Sequence, residues 1–333
     1  MDSPEAMVNN TTSVVGASEQ YSVGRKQRSP LDFLFRVLTG GSALLVGLIL
    51  LAIMASLTIE GWEALRTFGW RFFISQQWNP VTNQYGALIF IVGTLVSSLI
   101  AMIVAIPVSF GIALFITELA PSRIKSPISS TIELLAAIPS IIFGMWGLLV
   151  FAPKFAMVEP WITDTFGDVP GLGVLFRGPP MGIGMLAAGI VLGIMVIPFI
   201  SAIMCDVFSV VPNILRESAY GLGATTWEVV WNVVLPYTRA AVFGGIFLGL
   251  GRALGETMAV TFVIGNTDML SRSLLMPGAS IASVIANEFT EATTSLYRSA
   301  LLALGLILFI ITIIVLSVAR IMLARIERKS GGK

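Results

Sequence analysis

The chain has 333 residues, 56% of them hydrophobic and 12% charged, with a mean hydropathy of +0.89 and a formal net charge of +1. A water-soluble domain of this size cannot hide so much apolar surface, so lipid must be part of the solvent. The Lys and Arg residues form no dense cluster, which gives no support to a nucleic-acid role, and one cysteine (Cys205) with no histidine excludes an internal disulfide and a zinc site built on His or a Cys cluster.

Residues 1–30 are polar, rich in Ser, Asn and Thr, and close on Arg25, Lys26 and Arg28, which predicts a disordered cytoplasmic tail. The first apolar run follows this tail and is of full spanning length, so it is expected to be retained rather than cleaved as a signal peptide. Six apolar segments reach the roughly 20 residues a spanning helix needs: 33–59, 87–116, 128–152, 182–209, 237–265 and 299–324. They are continuous runs without the alternation of a β-barrel, so the fold class is an all-α integral membrane protein. Pro107, Pro139 and Pro198 fall inside these segments, where packed membrane helices tolerate proline, often as a kink. Gly244, Gly245, Gly249, Gly251 and Gly255 suit close helix packing.

With the N-terminus inside, 13 of the 20 basic residues fall on the cytoplasmic side and 6 outside, leaving Arg252 within the membrane. Both termini are therefore expected in the cytoplasm. The organisation is a tail over 1–30, a first span with its external segment over 31–86, a five-helix core over 87–325 and a cytoplasmic tail over 326–333. Externally, Trp62, Trp70, Trp78 and Tyr85 are rings suited to the headgroup level. Residues 167–180 are rich in Gly and Pro, and Ala279–Phe289 reads as a short helix. These segments either cap the bundle or receive a partner from outside. Glu118 reads as an interfacial charge at the cytoplasmic end of the second segment, and Glu133 as a polar group within the third.

A polar stretch over 211–236 interrupts the apolar pattern. Pro212-Asn213 starts a helix, Gly221–Gly223 makes a turn, and Thr225 or Thr226 caps a second short helix with Glu228 in its first turn. Pro236 marks re-entry toward the membrane. By geometry alone this is either an ordinary amphipathic loop or a docking element.

Further on, Arg252 and Glu256 stand four apart, on one helix face and within ion-pair reach. A charge at membrane depth faces a cavity or a partner. The pair reads as a lock between helices or as the lining of a translocation path or gate, with Arg252 favouring an oxyanion and Glu256 restraining it. The hydroxyls of Thr257 and Ser140 suit the same oxyanion, or satisfy backbone carbonyls. No Walker A pattern occurs, and no nucleophile–base pair or cofactor loop emerges, so an enzyme reading is the poorest.

Glu217-Ser218-Ala219, Gly223 four residues later, and Val233-x-Leu235-Pro236 resemble the cytoplasmic signature of permease subunits of binding-protein-dependent ABC importers, with Ser218 the one departure. The resemblance implies a type I importer permease of MetI-like architecture, whose coupling helix fits a groove on an ATPase. It would place Arg216 and Glu217 near charged groups there, Tyr220 and Leu222 in apolar contact, and Gly223 in the turn. Trp78-Asn-Pro-Val, Ile106-Pro-Val-Ser-Phe-Gly, Ala137-Ile-Pro-Ser and Gly251-Arg-Ala-Leu-Gly-Glu-Thr-Met-Ala-Val260 are similar to the phosphate branch, and to the first of its two permease subunits. The implied partners are a second homologous permease subunit, a dimeric cytoplasmic ATPase that carries the ATP and magnesium, an extracytoplasmic phosphate-binding protein, membrane lipid, and phosphate-signalling proteins. The implied location is the bacterial cytoplasmic (inner) membrane. Two readings compete: a permease for sulfate or molybdate, against which Glu256-Thr-Met-Ala-Val260 counts, and a membrane sensor or scaffold, which has no need of a coupling motif.

Overall fold

The computed structural model describes residues 30–171 and 173–330. The disordered tail expected over 1–30 lies outside the described residues except for Pro30. Two compact units divide the chain within its first helix, α1 (Pro30–Glu60), one ending at Ile53 and the other beginning at Met54. The described part of the first unit is the opening, apolar stretch of α1; apart from the first spanning run, which crosses this boundary, every feature below belongs to the second.

Among the described residues, six helical runs are long and apolar enough to cross a membrane: Phe33–Glu60, Leu88–Leu119, Ser140–Phe166, Met185–Ser209, Thr226–Leu254 and Ser295–Arg325. Two short helices, α2 (Trp62–Phe68) and α3 (Arg71–Ile74), follow the first span, and α4 (Leu88–Leu114) forms the second. The third run does not start where the apolar pattern does. Residues 122–136 form a separate amphipathic helix, α5 (Ser122–Ala136), which buries only Ile132 and leaves Glu133 exposed. Pro139 has no N–H for a continuous helix and disfavours the helical conformation in the residue before it, so α5 ends at Ala136 and the span begins at Ser140. It runs through α6 (Ser140–Trp146) into α7 (Ala152–Phe166). The fourth span is α8 (Met185–Ser209). The fifth combines α10 (Thr226–Val229) with α11 (Leu235–Leu254) and stops at Gly255, short of 265. The last, α14 (Ser295–Ser330), continues through the expected tail as far as Ser330.

Three π-helical turns occur among the described residues, Phe115–Leu119, Gly147–Phe151 and Val230–Val234, and each ends two residues before a proline: Pro121, Pro153 and Pro236. A proline offers no N–H to the carbonyl four residues back, and its ring crowds that oxygen. Ahead of Pro153 and Pro236, widening the turn by one residue makes room for the ring without opening the helix, whereas the π turn before Pro121 ends its helix at Leu119 and leaves Ala120 extended. Ahead of Pro121 the Thr117 carbonyl is instead taken by the Lys125 ammonium, 3.3 Å away.

The core is built from α4, α8 and α11. A β-carbon on Gly189 of α8 would stand 2.6 Å from Ile100 of α4, and one on Gly245 of α11 would stand 2.8 Å from Ile203 of α8. Small residues let these backbones approach, which matters because lipid offers helices no hydrophobic drive to associate. Ser109 of α4 adds a hydrogen bond across the contact, donating to the Ile197 carbonyl of α8 at 3.0 Å.

At the opposite end from residues 211–236, Trp78 and Tyr85 are buried (6% and 2% exposed), not spread at the headgroup level, while Trp62 and Trp70 remain exposed. They pack with Phe90 and Tyr297. Burial is possible because their polar tips find partners. Trp78 Nε1 and Tyr297 Oη both donate to Glu288 Oε2, at 2.8 and 2.6 Å, from α13 (Ile281–Glu288) and α14.

Burial, reinforced by the charge of Glu288, raises the nearby Asp268 carboxyl from 3.8 to about 6. The folded chain therefore holds this proton to a higher pH than the unfolded chain does. The contribution of Asp268 to stability is largest in acid, falls as pH rises from 3.8 to about 6, and is a net cost above that. Asp268→Asn, locked in the neutral form, is expected to raise the melting temperature at pH 8 and leave it nearly unchanged at pH 4, as paired thermal melts in detergent will show.

Candidate functional site

The polar stretch folds as two short helices. Helix α9 (Asn213–Gly221) begins directly after Pro212, which cannot donate and is tolerated at a helix start. Its end has the hydrogen bonding of a Schellman motif: Ala224 N donates to the Ala219 carbonyl at 3.1 Å, and Gly223 N donates to Tyr220 at 2.9 Å. Gly223 sits at φ +88°, the left-handed conformation this cap requires. Ala219 and Ala224, brought together by the cap, both pack against the core. The four-residue spacing of Ala219 and Gly223 thus has a local physical cause.

Thr225 then caps α10: its Oγ1 accepts from Glu228 N at 3.4 Å while Glu228 Oε2 accepts from Thr225 N at 2.8 Å. Outward from this turn project Glu217, Ser218, Tyr220 and Leu222, the last 90% exposed. Ser218 bonds back to the Ile214 carbonyl at 2.6 Å, so its hydroxyl is satisfied within α9. Trp227 and Trp231 extend the exposed apolar surface beyond the turn.

Arg216 behaves differently from its neighbours. Expected beside charged groups of a partner, it instead turns inward. Its Nη2 lies 3.1 Å from Glu118 Oε1 and donates to the Phe208 carbonyl at 2.6 Å. Glu118, which read as an ordinary interfacial charge, is buried there. Its spacing in the sequence carried no sign of this, because its partner comes from another element.

The second group of candidates lies around the end of α11. Arg252 is in its last turn, half-buried, with its guanidinium 5.2 Å from the centre of the Phe199 ring of α8. Its Nε is buried and has no hydrogen-bond partner among the described residues. The ion pair expected with Glu256 does not form there. The helix stops at Leu254, so the two residues no longer share a helix face, and Glu256 Oε1 instead accepts from Ala259 N at 3.4 Å. Thr257 precedes α12 (Met258–Thr261), and its carbonyl accepts from Thr261 Oγ1 at 2.7 Å. Ser140 opens α6, which packs on α12 so closely that a β-carbon on Gly144 would stand 2.9 Å from the Met258 carbonyl oxygen. Thr257 and Ser140 thus open two helices that pack on one another, and Arg252 lies in the last turn of α11, just ahead of the first of them. No direct bond joins the four candidates among the described residues.

The sequence model of one family, described as binding-protein-dependent transport system inner membrane component, matches residues 105–329, from within α4 to near the end of α14. The chain belongs to this family. The permease is 56% identical over 315 residues to the phosphate transport system permease protein PstC of Pasteurella multocida, covering 94% of this chain and 98% of that one. To the protein of the same name from Xylella fastidiosa (strain 9a5c) it is 58% identical over 301 residues, covering 90% and 93%. In fold the permease is similar to a chain of the MetNI methionine ABC transporter solved in inward-facing conformations, with a TM-score of 0.53, 13% identity, and coverage of 75% of this chain and 99% of that one. The family match over residues 105–329 contains both the 211–236 element and Arg252, whereas Trp78 and Tyr85 lie outside it.

A left-handed L-residue costs about 1–2 kcal/mol relative to glycine. A β-carbon on Gly223 would meet nothing within 4 Å, so conformation alone sets the effect. Gly223→Ala is expected to lower hydrogen-exchange protection of the Gly223 and Ala224 amides by roughly 5- to 30-fold, with Gly223→Asn affected less.

Proposed function

We propose that this permease is the membrane-spanning subunit of an ATP-driven importer of inorganic phosphate, forming half of the translocation path and coupling ATPase closure to alternating access. The observation that carries this reading is the exposed α9 turn with its Glu217–Pro236 signature, in a chain 56% identical over nearly its whole length to a protein named for phosphate transport. The chain does no covalent chemistry. Nucleotide and magnesium belong to the ATPase.

In this reading the protein sits in the bacterial cytoplasmic membrane with both termini inside. A second homologous permease completes the path, and an extracytoplasmic phosphate-binding protein delivers substrate to the outer face. On the inner face Glu217, Tyr220 and Leu222 dock into a groove of the dimeric ATPase, with Gly223 holding the turn that aims them. Closure of the ATPase dimer on ATP moves the docked helix, helix groups rotate as rigid bodies, and the cavity opens outward; hydrolysis resets it. Contact with phosphate-signalling proteins fits the same inner face.

Arg252 is the group most suited to phosphate. A permanent cation with a buried, unsatisfied N–H is costly in a membrane, and an oxyanion satisfies both its charge and its donor. The Phe199 ring holds the guanidinium in place meanwhile. Glu256, Thr257 and Ser140 flank the same region as gate and hydroxyl donors.

Two measurements test this on the complex reconstituted with its neighbouring subunits. ATP hydrolysis is expected to rise with phosphate-loaded binding protein and not with sulfate or molybdate; stimulation by another oxyanion would overturn the substrate. Arg252→Ala is expected to cut phosphate uptake tenfold or more in a normally assembled complex, and Arg252→Lys less. Undiminished uptake in Arg252→Ala would remove Arg252 from the path.

A further inference from the structure

Of the two ion pairs among the described residues, Asp168–Arg177 is exposed on an outer loop, whereas Arg216–Glu118 is enclosed, with side chains 16% and 5% exposed. The enclosed pair joins three elements. Arg216 belongs to α9, Glu118 to the π turn that ends the second span, and the Phe208 carbonyl that accepts from Arg216 Nη2 belongs to the last turn of α8. Asn213 Oδ1 steadies the guanidinium from below at 3.3 Å from Nη1. The far ends of this arrangement are rigid, because α4 and α8 are the most closely packed helices of the core and Phe208 is fully buried within it.

We infer that Arg216 and Glu118 form a strut that transmits displacement of the coupling helix to the second and fourth spans. Glu118 is a positioning residue: it touches neither substrate nor partner and acts through Arg216. A buried charge pair suits this task, because separating it leaves both charges uncompensated in a medium of low polarity, so the three elements move as one body. An apolar contact would be free to slide. The π turn contributes as well. Widening the helix by one residue ahead of Pro121 sets the position of Glu118 relative to the regular part of α4.

This inference rests on the reading that α9 docks an ATPase, and the two are separable by experiment. The full complex is reconstituted with wild-type permease, Glu118→Gln, Glu118→Asp, Arg216→Met, the Glu118→Gln/Arg216→Met double variant and Leu222→Asp. For each, co-purification of the ATPase, basal hydrolysis, hydrolysis stimulated by phosphate-loaded binding protein, and phosphate uptake per ATP are measured.

For Glu118→Gln the ATPase is expected to co-purify, with basal hydrolysis within twofold of wild type, while stimulated hydrolysis and phosphate per ATP fall tenfold or more. Glu118→Asp, which keeps the charge, recovers most of the coupling. The double variant is expected to be no worse than the weaker single one, since both remove the same link. Wild-type coupling in Glu118→Gln would overturn the strut. So would a loss of uptake that merely follows loss of assembled complex, with phosphate per ATP unchanged, because that is what a purely structural pair would give. Leu222→Asp reports on docking alone. If it retains the ATPase and full stimulation, the docking surface has been misplaced and the strut falls with it.

Discussion

Inside a bilayer no water is at hand for a backbone N–H or C=O, so each must find its partner within the chain. Most features of this protein follow from that constraint. Residues in hydrocarbon are forced into helices, and each proline becomes a local problem to be solved. Pro153 and Pro236 are met by widening the helix ahead of them into a π turn, and Pro121 follows a π turn at which its helix ends. Pro139 is met by ending one helix and starting another, with the consequence that α5 and the third span are separate bodies. Pro212 sits just before a helix start, where a missing N–H costs nothing.

The same constraint separates the places where function is plausible from those where it is not. Regular helix in the core is occupied with packing: glycines of α8 and α11 admit neighbouring side chains, and the Ser109 hydroxyl ties α4 to α8. The residues with chemistry to offer gather where helices stop. Arg252 and Glu256 flank the end of α11, and the break between them releases each from the other. The exposed turn lies where α9 gives way to α10, held by a left-handed glycine on one side and a capping box on the other. Glu118 sits in the final π turn of the second span. Breaks in regular structure carry exposed or unsatisfied polar groups, and these are what a substrate or a partner subunit can engage.

At the outer end, burial of polar rings follows a different rule from that of the apolar core. Trp78 and Tyr297 can leave water only because a single carboxylate oxygen of Glu288 accepts from both. That one acceptor ties the segment after the first span to α13 and to the start of α14. It also places a negative charge near Asp268, which adds to burial in holding the Asp268 proton to a higher pH.

Some of this is local and can be read along the chain. Spanning helices announce themselves by run length, and the Ala219–Gly223 spacing encodes a cap whose hydrogen bonds close within six residues. The capping box of Thr225 and Glu228 is equally local, though choosing Thr225 over Thr226 required the fold. Helix ends set by a competition between proline, glycine and packing were harder: an apolar run does not say where inside it the helix breaks, which is why the third and fifth spans moved. What no pattern along the chain could supply were partnerships across distance. Trp78 and Glu288 are 210 residues apart, and Glu118 has no neighbour in sequence that identifies Arg216 as its ion partner. A charged side chain in isolation is ambiguous between solvent, ligand and core. Only the packing of helices around it removes the water and leaves a single partner, because the energy that selects the pair does not exist until both groups are buried together.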